Sequence, residues 1–397
     1  MKPAPTLFTS LRALPPVAWI LFLGTFLNKF GSFVVPFLAL YLTQKGYSVA
    51  QAGVAIGAYG VGNVVATVVG GHLADTLGRR KTIALSMFSG AAAMMLLSQA
   101  TRFPSILALA ALAGLTGEFH RPASSALLAD LVPAGNRVTA FSAYRLAINA
   151  GFAFGPATAG LIAGHGYFWL FAGDAGTSAL FGIVALAALP DVAHVAEKAG
   201  GWQESARALL GDRRLHRVLL ASFLIALIFF QMSSTFGLAV MRAGFTPRAY
   251  GILLSMNGAL IVLAELPLTT VSRRFQPIAA MAAGYLFIGV GFLLGALAVT
   301  IAGFAACILV FTLGEMFAMP VASAYVAGLS PAHMRGRYMG TYGLTWTLAQ
   351  VVGPGLGMAL FTASPTAFWA AGGALGVASA AIAYRGRTAR IPALQGA

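Results

Sequence analysis

The chain has 397 residues, 59% of them hydrophobic and only 9% charged, whereas a soluble domain carries about 25% charged residues. That balance excludes an ordinary water-soluble globule and points to a polytopic membrane protein whose surface meets lipid. The formal charge of +15 would suit a nucleic-acid binder, but the basic residues sit at the ends of apolar segments, which argues against one; the single cysteine, Cys307, excludes an intrachain disulfide and a cysteine-built zinc site.

A spanning helix needs about 20 mostly apolar residues. In chain order the sequence predicts spans over 17–42, 50–74, 82–101, 104–129, 138–163, 167–189, 217–241, 249–271, 277–299, 302–328, 337–361 and 366–384. The first run, Val17–Leu42 behind Lys2 and Arg12, is too long for a signal-peptide core and reads as a transmembrane helix. Most connections are very short. The exception is 190–216, where Trp202, Ala206, Leu209 and Leu210 stand among charges; it reads either as a surface amphipathic helix or as a flexible linker. The expected domains are a bundle over 1–189, a cytoplasmic linker over 190–216 and a bundle over 217–397.

Positive charge sets orientation. With the N-terminus inside, the inner loops and ends carry 18 Lys and Arg residues, among them Arg79, Arg80, Lys81, Arg213, Arg214, Arg273 and Arg274. The outer loops carry Lys45, Arg102, Arg242 and Arg248. Both termini are therefore expected in the cytoplasm, with the chain in the inner membrane of a bacterium.

The two halves align at an offset of 198 residues. Gly46-Tyr47-Ser48 meets Gly244-Phe245-Thr246, Pro122 meets Pro320, and Pro133-Ala134 meets Pro331-Ala332. Arg137 meets Arg335, Tyr144 meets Tyr342, and Gly155-Pro156 meets Gly353-Pro354. The expected fold is therefore an all-α membrane protein of twelve transmembrane helices in two pseudo-symmetric six-helix bundles. Such halves imply a central site exposed alternately to each side by rocking.

Between spans 2 and 3 stands Gly70-Gly71-His72-Leu73-Ala74-Asp75-Thr76-Leu77-Gly78-Arg79-Arg80-Lys81. It resembles the signature of the major facilitator superfamily in the same loop. That resemblance implies a cytoplasmic charge latch of Gly71, Asp75, Gly78, Arg79 and Arg80, in which Arg79 pairs with an acid at the end of span 4, here Asp130. The physics is consistent, since acids are favoured at helix N-termini and an ion pair can bias one of two states. The matching loop of the second half, Thr269–Phe275, has no acid.

Span 5 carries Gly151-Phe152-Ala153-Phe154-Gly155-Pro156, which looks like the glycine–x–x–x–glycine–proline motif of antiporters within the superfamily. Small residues allow close helix approach and proline bends the helix. Gly353 and Pro354 repeat the element. The arginine that the family often places before a glycine in span 4 is replaced by Ala110 and Ala113. The basic residue stands later, in Gly117-Glu118-Phe119-His120-Arg121-Pro122.

Charges at the centre of a membrane helix cost about 2.5–3.5 kcal/mol on insertion scales and mark functional sites. The candidates for substrate binding or proton coupling are Lys29, Glu118, Arg121, Arg145, Glu265 and Glu315, with Asn28, Asn149, Gln231 and Asn257 as hydrogen-bonding groups. Gln350 lies at similar depth, and Trp346, Phe30, Phe33 and Phe230 are expected as aromatic walls. Glu118 and Arg121, three apart, share a helix face and pair with each other, with Arg145 or with solute. His120 reads as a packing group.

No phosphate-binding loop appears, so no ATP-driven cycle, nucleotide or other cofactor is expected, and no nucleophile–base pair or metal-ligand cluster suggests an enzyme. The resemblance is to the twelve-span drug:proton antiporter branch, which implies export of lipophilic compounds in exchange for protons by a monomer in the bilayer. Glu118, Glu265 or Glu315 would carry the proton, because burial favours a neutral carboxyl. Three basic residues within spans leave a small organic anion as a rival solute, and a non-transporting receptor is the alternative of another class.

Overall fold

A computed structural model describes residues 11–133, 137–191, 209–272, 275–329 and 335–385. Nearly all of the described chain is helical and no strand occurs among the described residues. This follows from the solvent: in hydrocarbon every backbone N–H and C=O needs an internal partner, which a helix supplies within one segment.

Among the described residues, twelve helices are long and apolar enough to cross a membrane: Pro16–Gln44, Val49–Ala74, Arg79–Gln99, Phe103–Leu131, Ala143–Ala163, Phe168–Ala188, Arg213–Met232, Pro247–Ala264, Pro277–Leu297, Ile301–Leu329, Tyr338–Ala363 and Pro365–Tyr384. They are numbered here as spans 1 to 12. The expected surface helix of the 190–216 segment falls largely on residues 192–208, outside the described residues.

By contact the chain divides into two compact units. One is Met1–Leu38 with Ala58–Glu197; the other is Ala39–Gly57 with Lys198–Ala397. In the first, span 1 packs on spans 5 and 6, and span 3 on spans 4 and 6. In the second, span 7 packs on spans 11 and 12, and span 9 on spans 10 and 12. The repeat seen in the sequence is thus a repeat of packing. It extends to single turns, since Gly46 and Gly244, one repeat apart, both adopt positive φ, 89° and 87°.

Close approach is carried by glycine, as expected where lipid offers no hydrophobic drive for helix association. A Cβ on Gly284 would lie 2.7 Å from the Gly314 carbonyl oxygen, and one on Gly289 2.8 Å from the Gly376 Cα. In the second unit a Cβ on Gly53 would lie 2.8 Å from the Gly355 Cα, and one on Gly57 2.6 Å from the Val351 carbonyl oxygen.

The structure adds what hydropathy does not carry: three spans are interrupted. Span 1 is two helices, Pro16–Phe30 and Val34–Gln44; span 4 is Phe103–Glu118 and His120–Leu131; span 7 is followed, after Ser233 and Ser234, by Thr235–Arg242. Span 10, the counterpart of span 4, runs unbroken from Ile301 to Leu329 with Pro320 inside it.

Candidate functional site

The breaks in spans 1 and 4 build the site in the first unit. The first half of span 1 ends at Phe30, and the Gly31 amide closes it by donating to the Leu27 carbonyl at 2.9 Å. Gly31 faces Thr177 of span 6, whose hydroxyl occupies the place a side chain would need. Lys29 stands in the last turn of that helix, where the dipole favours a cation.

Lys29 is 5% exposed. Its Nζ donates to Glu118 Oε1 at 2.9 Å, and Glu118 is the last residue before the break in span 4. Arg121, one turn later, reaches Glu118 Oε2 at 3.4 Å. One carboxylate therefore meets two cations. Exposure is graded across the trio: the side chains are 6% exposed for Lys29, 17% for Glu118 and 61% for Arg121. The site is consequently open at Arg121 and closed at Lys29.

The span 4 break is fastened to span 3. Ser86 Oγ donates to the Thr116 carbonyl at 2.5 Å and accepts from the His120 amide at 3.1 Å. The His120 ring is fully buried, stands edge-on to Phe181 at 6.2 Å, and has Nδ1 2.9 Å from the Gly117 carbonyl. That carbonyl accepts only, so Nδ1 carries the hydrogen. The His120 Nε2 is buried without a partner among the described residues.

Asp174 is the residue missed by sequence reasoning. It is 6% exposed and the only charged residue of span 6. Its Oδ2 accepts from the Val34 amide at 3.4 Å, the first residue of the second helix of span 1. It caps a helix that belongs to another span. Asn28, 6% exposed, donates through Nδ2 to Ser178 Oγ at 3.4 Å and Met87 Sδ at 3.6 Å, whereas its Oδ1 is buried without a donor. Asn28, Ser32, Tyr59, Glu118, Asp174 and Ser178 line a cavity of about 20 Å³, room for one water.

The span 5 motif lies against this joint. A Cβ on Gly155 would sit 2.6 Å from the Phe30 carbonyl oxygen, and Gly151 is equally close to the backbone of Lys29 and Phe30. Pro156 lies inside the same helix. Asn149 is half-buried and Arg145 exposed on that span.

In the second unit the sequence-predicted groups separate into two sets. Asn257 Nδ2 donates to Thr312 Oγ1 at 2.8 Å and Glu315 Oε2 at 2.9 Å. Gln231 is buried and bonded throughout: Nε2 donates to the Leu227 carbonyl at 2.9 Å and the Gly353 carbonyl at 2.8 Å, and Oε1 accepts from Thr235 at 2.7 Å. It joins span 7 to span 11 at the second Gly-Pro element, beside Pro354. The Trp346 ring is 5.4 Å from Phe229 and 6.5 Å from Phe230, while Phe30 and Phe33 pair at 5.4 Å in the first unit. The Glu265 side chain lies outside the described residues.

At the signature loop, Arg79 is 2% exposed. Its Nε donates to Asp130 Oδ2 at 3.0 Å and its terminal nitrogen to the Ala74 carbonyl at 3.2 Å. Arg80 and Lys81 reach Asp191 at 3.2 and 4.0 Å. The Asp75 side chain lies outside the described residues. Gly71 has open space where a Cβ would stand; the close contact, against Phe119 and Pro122, is made by Gly70. A Cβ on Gly78 would meet Asp191 at 3.0 Å.

The sequence profile of the Major Facilitator Superfamily matches residues 21–314 and 241–395. The chain belongs to the major facilitator superfamily. It is a multi-pass membrane carrier of a small solute and not an enzyme. The chain is 27% identical over 352 residues to the uncharacterized MFS-type transporter YqjV of Bacillus subtilis, covering 86% of this chain and 85% of that one. It is 24% identical over 363 residues to a Na(+), Li(+), K(+)/H(+) antiporter of Planococcus maritimus, covering 83% and 85%. Over 161 residues, 40% of this chain and 42% of the other, it is 26% identical to the quinolone resistance protein NorA of Staphylococcus aureus. Among solved structures, a mutant of the nucleoside transporter NupG superposes with TM-score 0.79 at 16% identity, covering 94% and 99%. The peptide transporter POT with sulfate gives 0.76 at 16%, covering 97% and 98%.

Proposed function

We propose that this superfamily member exports lipophilic, drug-like compounds across the cytoplasmic membrane in exchange for protons, by alternating access of the bundles 1–189 and 217–397, with both termini in the cytoplasm. The observation that carries the reading is the Lys29–Glu118–Arg121 set, buried at Lys29 and open at Arg121, which joins spans 1 and 4 through a carboxylate. Charges so placed are costly to keep in a membrane unless a transport path uses them. The antiporter-type motif Gly151–Pro156 packs on the Lys29–Phe30 segment, so a bend in span 5 bears directly on the charged set. Similarity to a Na(+), Li(+), K(+)/H(+) antiporter and to a quinolone resistance protein supports proton exchange and a drug-like solute.

A small organic anion is the second reading, because Lys29 and Arg121 share the single carboxylate of Glu118 and leave the set with one unmatched positive charge. Purified protein in liposomes, with internal pH followed across a panel of cationic, neutral and anionic compounds, tests the reading. Solute-dependent proton flux with a cationic compound, weakened in Glu118→Gln, is the expected result. Flux driven by anions alone would replace it with the organic-anion reading.

A further inference from the structure

We infer that Asp174, at the break in span 1, is a proton-binding carboxylate in the cavity that it shares with Asn28 and Glu118, and that Asn28 Oδ1 accepts the hydrogen bond of its protonated form. Its role as the coupling proton site rests on the proposed exchange of protons for solute; its occupation by a proton does not.

The inference starts from an imbalance of hydrogen-bond partners. Asp174 and Asn28 line one cavity, and Asn28 Oδ1 is a buried acceptor there. An ionised carboxylate is acceptor-only, and an amide oxygen never donates. Asn28 Oδ1 has no donor among the described residues, and an unpaired polar atom so deeply buried costs about 1–3 kcal/mol. One proton repairs the mismatch. It adds to the Asp174 oxygen not bound to Val34, and the resulting O–H donates to Asn28 Oδ1. The cavity of about 20 Å³ admits the single water needed to deliver it.

The distribution of charge leads to the same group. Lys29 and Arg121 both lie on Glu118, and among the described residues no cation stands within ion-pair distance of Asp174, which accepts from the neutral Val34 amide. The titratable and charged groups that face it are Lys29 from span 1, Tyr59 from span 2 and Glu118 from span 4. Span 3 contributes Ser86 and Met87 to the cavity and no charge, and span 5, also packed on span 6, contributes no lining residue.

The position gives the proton a mechanical consequence. Ionised Asp174 is an anion at the start of Val34–Gln44, the favourable end of that helix dipole. Protonation removes the charge but leaves an oxygen that still accepts from Val34. The joint between the two halves of span 1 is thereby loosened, at Val34, close in sequence to the Gly31–Thr177 contact and beside the segment on which Gly151 and Gly155 pack.

A plain helix-capping role predicts no titration, so the test reads the proton itself. The full chain, purified in detergent, is examined by pH-difference infrared spectroscopy in the C=O stretching region of protonated carboxyl groups. Acidification is expected to produce a band that Asp174→Asn removes and Glu118→Gln retains. Asp174→Asn keeps an acceptor for Val34, and an unchanged thermal midpoint verifies the fold. In Asn28→Leu the band moves to higher frequency, because the acidic hydrogen has lost its acceptor. No band in the wild type, or a band that survives Asp174→Asn, overturns the proton site; a band unmoved in Asn28→Leu overturns the role of Asn28. If the band behaves as expected while liposomes show no cation-dependent proton flux, the exporter reading fails and the site stands.

Discussion

Gly151 is pressed against Lys29. A methyl group on Gly151 would lie 2.7 Å from the Lys29 Cβ and 2.7 Å from the Phe30 amide nitrogen. Both neighbours belong to the last turn of a helix, so neither can swing away as the tip of a flexible side chain would.

Gly151→Ala is therefore expected to force spans 1 and 5 apart. Overpacking of this kind costs about 1–3 kcal/mol. The expected outcome is a lowered thermal midpoint of the purified protein together with a loss of solute transport, because the displaced turn carries the lysine. A variant that transports at the wild-type rate with an unchanged midpoint would show that the two spans do not need this contact.

The pairing of one acid with two bases makes an asymmetric prediction. Removing Lys29 leaves Glu118 with Arg121; removing Glu118 leaves Lys29, 5% exposed, with no carboxylate at its head. An uncompensated buried charge costs about 3–5 kcal/mol. Glu118→Gln should thus destabilise the purified chain more than Lys29→Met, and the double variant should recover part of the loss. Equal effects, strictly additive in the double variant, would mean that the two side chains do not share an interaction in the membrane.

The spans, the repeat and the signature loop are legible because each depends on local composition: a run of about 20 apolar residues, a Gly-Pro pair at a constant offset, or charges just beyond a helix end. Arg79 with Asp130 was legible for the same reason. The partner of Glu118 was only half legible. Arg121 shares its helix face three residues on, but Lys29 comes from 89 residues away and is brought there by packing. Asp174 was missed although it is the one charge in an apolar span, a sufficient signal in itself. Its partner could not be foreseen, because the Val34 amide is free to donate only where the helix is broken. Nothing in the hydropathy of span 1 announces that break; Gly31 and Ser32 are ordinary residues in a membrane helix.

In the signature loop, Arg79 is used for its shape as well as its charge. Nε serves Asp130 and a terminal nitrogen serves the Ala74 carbonyl, two directions that a planar guanidinium provides and an ammonium does not. Arg79→Lys should therefore behave like Arg79→Ala in transport, and Asp130→Asn should share the defect. Rates measured in liposomes check this. Full activity in Arg79→Lys would reduce the latch to a matter of charge alone.

In the second unit Asn257 holds a carboxylate by neutral bonds. It stands 198 residues after Tyr59, so the two halves place an amide and a phenol at corresponding positions. Asn257→Leu removes the donor to both Thr312 and Glu315. Loss of a donor to a charged group costs about 1.5–3 kcal/mol. The expected result is a several-fold fall in transport of a cationic compound, with Asn257→Gln retaining more activity than Asn257→Leu. Identical rates for the two substitutions would show that the amide group does not hold Glu315 for transport.

The turns at Gly46 and Gly244 give a comparison between the halves that packing does not confuse. Both residues have positive φ, 89° and 87°, and neither has an atom within 4 Å of where a Cβ would stand. An alanine at either position meets no neighbour and suffers only the backbone penalty of the left-handed region, about 1–2 kcal/mol. Gly46→Ala and Gly244→Ala should thus lower the thermal midpoint by similar amounts. Because the two turns are 198 residues apart in separate connections, the double variant should show the sum. A large difference between the single variants would mean that one turn carries a load the other does not, and that the repeat, though shared in backbone, is not shared in energy.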